Sequence, residues 1–210
     1  MALNRFISFE GGEGTGKSLQ SKRLAARLAA ETGREVVLTR EPGGTEGAEA
    51  IRNLLVNGAT DRWSAATEVL LNYAAREDHL RRLILPALER GAFVISDRFA
   101  DSTRAYQGAA GGADMALIAS LEERIIGDNW PSLTLVLDID PQVGLARAAE
   151  RLGGEGRFEA KGLEYHTRLR EAFHRAVSDA PDRCVLINTS VPVDEASDHI
   201  WNVVSARFLG

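Results

Sequence analysis

Residues Gly11-Gly12-Glu13-Gly14-Thr15-Gly16-Lys17-Ser18 match the pattern G-x-x-x-x-G-K-[ST] at every position. The flanks constrain the fold further. Phe6-Ile7-Ser8-Phe9 ahead of the loop reads as a short apolar strand, and Ser18 to Thr32 behind it reads as a helix closed by Gly33. Strand, glycine-rich loop and helix together form a phosphate cradle. Glycines let successive backbone N–H groups turn toward one centre, and the helix N-terminus adds its positive end. In such a cradle Gly11, Gly12, Glu13, Gly14, Thr15 and Gly16 wrap the phosphates, Lys17 reaches the β- and γ-phosphates, and the Ser18 hydroxyl holds Mg²⁺.

The rest of the chain repeats the alternation. Val36 to Thr39, Phe93 to Ser96, Leu133 to Leu137 and Cys184 to Asn188 are short, continuous apolar runs. Such runs suit a parallel sheet covered on both faces. Helical patterns lie between them: one carries Ala48, Ile51 and Leu55 and ends at Asn57-Gly58. A long one runs from Ser64 to about Arg90, and others cover 114–126, 141–152, 162–178 and 193–208. Pro86 removes a backbone donor inside the long helix, which predicts a kink or break there. The expected fold is a doubly wound α/β domain spanning 1–210, with ligands at the carboxyl ends of the strands.

Bulk properties narrow the function. A net charge of −5 offers no global basic field for nucleic acid, and no apolar stretch is long enough to span a membrane. One cysteine, Cys184, excludes an internal disulfide and fits a reducing, cytoplasmic setting; it heads an apolar run and reads as a core residue. No signal-peptide core is seen at the N-terminus. His79, His166, His174 and His199 lack metal-ligand spacing and read as surface or capping residues.

A phosphate loop alone says that a nucleoside triphosphate binds. The chain carries neither the Asn-Lys-x-Asp nor the Asp-x-x-Gly expected of a GTPase. It carries arginines at the mouths of strands instead: Arg40 after the second, Asp97-Arg98 after the third, with Arg76 on the long helix. That suits two polyanions brought head to head. Phosphoryl transfer between nucleotides is limited by charge repulsion and alignment, and an acceptor phosphate already anionic at pH 7 needs no strong base. Asp97 could hold Mg²⁺ through water. The segment from Arg151 to Glu159 combines three glycines with Arg151 and Arg157 and reads as a lid, about 151–161, that brings cations over a triphosphate.

Three segments carry a family likeness: Phe9 to Ser18, Thr39-Arg40-Glu41-Pro42-Gly43-Gly44, and Asp97 to Gly108, in which Asp97-Arg98 precedes Ala105-Tyr106-Gln107-Gly108. They resemble the signatures of bacterial thymidylate kinases. Further likeness runs through 68–71, 73–76, 131–134 and 156–159, in order and across essentially the whole chain. The resemblance implies a five-stranded parallel sheet in a P-loop kinase core, a homodimer, and ATP-dependent phosphorylation of dTMP with Mg²⁺. By position it assigns Glu13 to the sugar 3′-hydroxyl, and Arg98 with Arg40 to the dTMP phosphate. Arg76 and Thr103 fall to the thymine edge, and Tyr106 to excluding a ribose; Ser102 and Gln107 join the dTMP set. Since Gly14 has no side chain, it assigns the catalytic cation to Arg157. Arg147 falls to adenine, with the loop 188–190 over its edge.

The resemblance has one departure: the family places a phenylalanine against thymine where this chain has Asn72. Tyr73 next door lies about 100° around the helix. Either dTMP binds more weakly or Asn72 reads the base edge. Two rival functions stand beside this reading: a kinase for another pyrimidine monophosphate, and a non-catalytic ATP sensor.

Overall fold

The apolar runs form five parallel strands, β1 (Phe6–Glu10), β2 (Val36–Arg40), β3 (Phe93–Asp97), β4 (Leu133–Asp138) and β5 (Cys184–Asn188), in the spatial order β2-β3-β1-β4-β5. The computed structural model describes residues 4–59, 61–150, 158 and 161–210. The lid 151–161 lies outside the described residues apart from Phe158 and Lys161, and Arg151 and Arg157 lie outside them too.

Each of the first four strands runs one residue past the apolar stretch that announces it, ending on Glu10, Arg40, Asp97 or Asp138. Ladder pairing rather than hydrophobicity holds these last residues in the sheet. Register then gathers them: Phe9 opposes Asp97 and Arg40 opposes Asp97. The phosphate loop, the Arg40-Glu41 turn and the Asp97-Arg98 turn therefore leave the same edge of the sheet side by side.

Nine α-helical segments are described: α1 (Lys17–Thr32), α2 (Glu46–Val56), α3 (Ala65–His79), α4 (Leu85–Glu89), α5 (Ala100–Thr103), α6 (Met115–Leu121), α7 (Pro141–Ala149), α8 (Leu163–Asp179) and α9 (Val193–Phe208). One face of the sheet packs Ile7, Phe9, Leu135 and Ile187 against Leu24 and Leu28 of α1 and Ile200 and Val204 of α9. The other packs Phe6 and Val94 against Val69 and Tyr73 of α3, Ile84, and Ile118 of α6. Burial on both faces explains why the three central strands, β3, β1 and β4, read as nearly continuous apolar runs, whereas the outer strands β2 and β5 are only partly covered. Cys184 is free and buried, as expected of a core residue.

Pro86 does not break its helix. A π turn over Leu80–Ile84 joins α3 to α4, and the Leu85 N–H bonds back five residues to the Leu80 carbonyl. Widening the ladder just ahead of Pro86 lets the helix pass a residue that has no N–H. A second π turn, Arg104–Ala109, extends α5. The helical segment 100–109 is not apparent from hydrophobic periodicity, because its buried positions include Asp101, Ser102, Thr103 and Gln107.

Candidate active site

The polar strand ends and the loops after them line one cavity of about 310 Å³. Its walls include Lys17, Arg40, Arg52, Arg76 and Arg98 against Glu13, Glu41 and Asp97. Cations outnumber acids, so the cavity favours a polyanion.

At the loop end, Lys17 is buried and donates from Nζ to the Gly12 carbonyl at 2.7 Å. Burial, with Arg98 nearby, pushes its ammonium down to about 8. The Ser18 hydroxyl donates to Asp97 Oδ2 at 2.5 Å. This hydroxyl and carboxylate, expected to serve a metal, are thus adjacent. Hard oxygen donors with a single carboxylate fit Mg²⁺, which takes the rest of its shell from phosphates and water. Gly14 has φ +69, and a Cβ there would run into the Gly144 carbonyl of α7. A Cβ on Gly144 would in turn lie 2.5 Å from the Glu13 carbonyl. The two glycines let α7 buttress the loop by backbone contact, leaving no room for a side chain at position 14.

Arg98 is held in the left-handed region, with φ +74. For a non-glycine residue that costs about 1–3 kcal/mol, so the surroundings must enforce it. They do: its N–H bonds to the Phe9 carbonyl at 2.9 Å, and Ser96 Oγ donates to its carbonyl at 2.7 Å. Glu10 accepts from the Phe99 N–H at 2.7 Å and from the Ser102 hydroxyl at 2.5 Å. Burial, with Asp101 beside it, pushes Glu10 up to about 8. The guanidinium then reaches the Gly11 carbonyl (3.1 Å), Ser102 Oγ (3.2 Å) and Glu13 Oε1 (2.9 Å), and lies 4.7 Å from the Tyr106 ring centre. The Tyr106 hydroxyl donates to the same Glu13 oxygen at 2.7 Å. Burial alone would raise the Glu13 carboxyl; Arg98, Lys17 and the Tyr106 hydroxyl override it and hold it down at about 2.

At the far end, Arg76 is buried between the Tyr73 and Phe99 rings, 4.5 and 5.2 Å from their centres. Its Nε donates to Glu41 Oε2 at 2.8 Å and its Nη2 to Thr103 Oγ1 at 3.1 Å. Its Nη1 has no hydrogen-bond partner among the described residues. Gln107 commits its amide nitrogen to Glu68 at 2.9 Å. Asn72 lines the cavity, with its amide nitrogen donated to the Glu68 carbonyl at 2.8 Å. Tyr73 faces elsewhere, its hydroxyl on Glu122 at 3.1 Å, as its helical offset requires.

Thus the sequence-selected Glu13, Gly14, Gly16, Lys17 and Ser18 meet Arg40, Arg76, Asp97, Arg98, Ser102, Thr103, Tyr106 and Gln107 around one cavity. Arg40 is half-exposed and grips Glu49 at 2.9 Å. Arg147 stands apart from this cavity, donating to the Thr189 carbonyl at 3.1 Å, so it does meet the 188–190 loop. The structure corrects the reading of the histidines: His79 and His166 are buried. It also adds Arg52, which lines the cavity and donates to the Pro42 carbonyl at 2.7 Å. Nothing in the helical pattern around Ile51 marks Arg52 as a site residue. Glu10 and Glu41 adjoin the motifs but had no chemical role until their partners were in view.

A phosphate loop on a doubly wound sheet, opening onto a cation-lined cavity, defines a P-loop nucleotide-binding fold of the phosphotransferase type. The family model described as thymidylate kinase matches residues 9–200. A thymidylate kinase from Caulobacter vibrioides is 58% identical over 207 residues, covering 99% of both chains. One from Bradyrhizobium sp. is 50% identical, covering 98% of this chain and 91% of its own. A crystal structure of thymidylate kinase from Ehrlichia chaffeensis superposes with a TM-score of 0.78 at 34% identity, covering 95% of this chain and 97% of the other. The chain belongs to the thymidylate kinase family.

Proposed function

We propose that the chain transfers the γ-phosphoryl group of ATP to dTMP, giving dTDP and ADP. The observation that carries this reading is the single cavity, which joins the phosphate loop at one end to a buried arginine with a spare donor at the other. The phosphate loop and Lys17 take the triphosphate, with Arg147 and the 188–190 loop toward adenine. The acceptor phosphate enters where Arg98 now holds the Gly11 carbonyl, with Arg40 and Arg52 opposite. Phosphate outcompetes a neutral carbonyl for a guanidinium because both partners are then charged. Glu13, ionised at neutral pH, accepts the sugar 3′-hydroxyl while keeping Tyr106 against C2′. Arg76 and Thr103 meet the base edge.

In the transfer step, an anionic oxygen of the dTMP phosphate bonds to the γ-phosphorus. The bond to the β,γ-bridging oxygen breaks, and ADP leaves with that electron pair. No proton needs to be abstracted; alignment and charge neutralisation do the work. Mg²⁺, held by Ser18 and Asp97, would neutralise charge on the β- and γ-phosphates. Arg157 in the lid serves the transition state. The same reading takes 1–210 as one kinase domain acting as a cytoplasmic homodimer. A free, buried Cys184 fits that setting, and among the described residues no helix is long and apolar enough to cross a membrane.

The test is ADP release from ATP and Mg²⁺ with dTMP, dUMP, dCMP, UMP, CMP and AMP offered separately. Strong preference for dTMP supports the reading, and shows that Asn72 is compatible with thymine recognition. Preference for another monophosphate moves the substrate, and no monophosphate-dependent ADP overturns the reading.

A further inference from the structure

His79 lies 38 positions beyond Glu41 in sequence, is fully buried, and among the described residues makes its hydrogen bonds to Glu41 and Thr39 rather than to the phosphate loop. Its Nδ1 lies 3.1 Å from Glu41 Oε1, and its Nε2 lies 2.8 Å from Thr39 Oγ1. An ionised carboxylate can only accept, so Nδ1 carries the proton on the Glu41 side. In the neutral imidazole, Nε2 then accepts from the Thr39 hydroxyl. The Arg-Glu-Pro-Gly-Gly turn is built around this pair. Gly44 has φ +90, and a Cβ on it would lie 2.5 Å from both His79 Nε2 and Thr39 Oγ1. The last glycine of the motif is therefore required by a histidine outside it.

The consequence falls on Arg76. An arginine facing a free carboxylate often takes both oxygens in a bidentate fork, as Arg104 does with Glu122. Here His79 occupies Oε1, and Arg76 meets Glu41 through Nε and Oε2 alone, at 2.8 Å. The rings of Tyr73 and Phe99 confine the guanidinium, 4.5 and 5.2 Å from their centres, and leave its rotation to be set by hydrogen bonds. The divided carboxylate sets that rotation, sends Nη2 to Thr103, and leaves Nη1 with unused donor capacity in a residue that lines the cavity.

We propose that His79 is a positioning residue for substrate recognition: by dividing the Glu41 carboxylate it aims Arg76 at the pyrimidine of the acceptor nucleotide. This rests on the reading that Arg76 meets the base edge. The prediction concerns acceptor affinity and leaves the chemistry at the phosphate loop alone.

Two substitutions separate aiming from filling space. In His79→Asn the amide nitrogen sits where Nδ1 was and can still donate to Glu41. In His79→Gln the amide sits near the former Nε2, toward Thr39, and Oε1 of Glu41 is released. Steady-state kinetics should show the dTMP KM raised about tenfold in His79→Gln and less than about threefold in His79→Asn, as expected for loss and retention of one directed polar contact. In both, kcat and the ATP KM should stay within about twofold. Equal dTMP effects in the two variants, or parallel losses in kcat and ATP KM, would overturn the proposal. Should His79→Gln fail to fold, Thr39→Val frees Nε2 while keeping side-chain shape. It should raise the dTMP KM about threefold, and no change there overturns the proposal equally. Arg76→Lys, measured alongside, tests the underlying reading. An unchanged dTMP KM there removes Arg76 from base recognition. A raised one, with His79→Gln and His79→Asn alike, removes only His79.

Discussion

The two ends of the cavity are built on different principles. At the phosphate end the charged side chains keep some exposure: Arg98 and Glu13 are 17% and 14% exposed. Their donors rest on groups that a ligand can displace, Lys17 on the Gly12 carbonyl and Arg98 on the Gly11 carbonyl. At the base end, Arg76, Glu41 and His79 are 2%, 3% and 0% exposed and nearly saturated, with Nη1 of Arg76 in reserve. On the proposed reading the difference follows from what each end grips. A phosphate forms charge-assisted bonds strong enough to replace resting contacts. A neutral base edge gains little per hydrogen bond, so its partners must be ordered before it arrives.

The largest test of this contrast is Lys17→Ala. It should lower kcat by about a thousandfold or more, since on the proposed reading Lys17 reaches the phosphoryl group being transferred. Normal turnover would leave the phosphate end without its central cation. Arg98→Ala should lower kcat/KM for dTMP by roughly a hundredfold, through loss of the proposed phosphate partner and of the hold on Glu13. A change confined to the ATP KM would place Arg98 on the wrong nucleotide. Gly144→Ala should raise the ATP KM about tenfold and destabilise the protein by about 1–3 kcal/mol, since the added methyl must displace the loop at Glu13. Unaltered kinetics and melting would show that α7 does not buttress the loop.

The smallest effect concerns Glu10, beneath Arg98. Burial, with Asp101 beside it, pushes its carboxyl in the folded chain up to about 8 from an ordinary value of 4.5. Between those values the folded state binds more protons than the unfolded state, so this group makes stability fall as pH rises across that window. Glu10→Gln, which mimics the protonated form, should flatten that decline. Thermal melting from pH 5 to 8 should show the variant gaining several degrees relative to the parent as pH rises. A constant difference would mean that Glu10 is ionised throughout.

Much of this architecture was legible in the chain itself. The phosphate loop is a local object: its glycines, Lys17 and Ser18 are consecutive, and β1 and α1 on either side are clear apolar patterns. The central strands stood out because burial on both faces keeps them apolar apart from small residues such as Ser8 and Thr134, which hydrogen-bond each other. The polar last residues of the first four strands were harder to see, since Glu10, Arg40, Asp97 and Asp138 end apolar runs and are kept in the sheet by pairing. The helix at 100–109 escaped notice because it buries polar side chains that answer one another across the site.

What the sequence by itself determined was the class of fold, the position of the phosphate loop in it and the identity of most cavity-lining cations, because these depend on contiguous motifs and on periodicity. Only the tertiary structure decided which carboxylate aims which arginine. Glu41 and Arg76 are 35 positions apart, Glu41 and His79 are 38, and Glu13 and Arg98 are 85. A histidine that reads as a surface residue becomes part of the base end only because strand register and the α3 face bring it under Gly44. Hydrogen-bond partnership is set by distance in space, and chain spacing carries no record of it beyond a few residues.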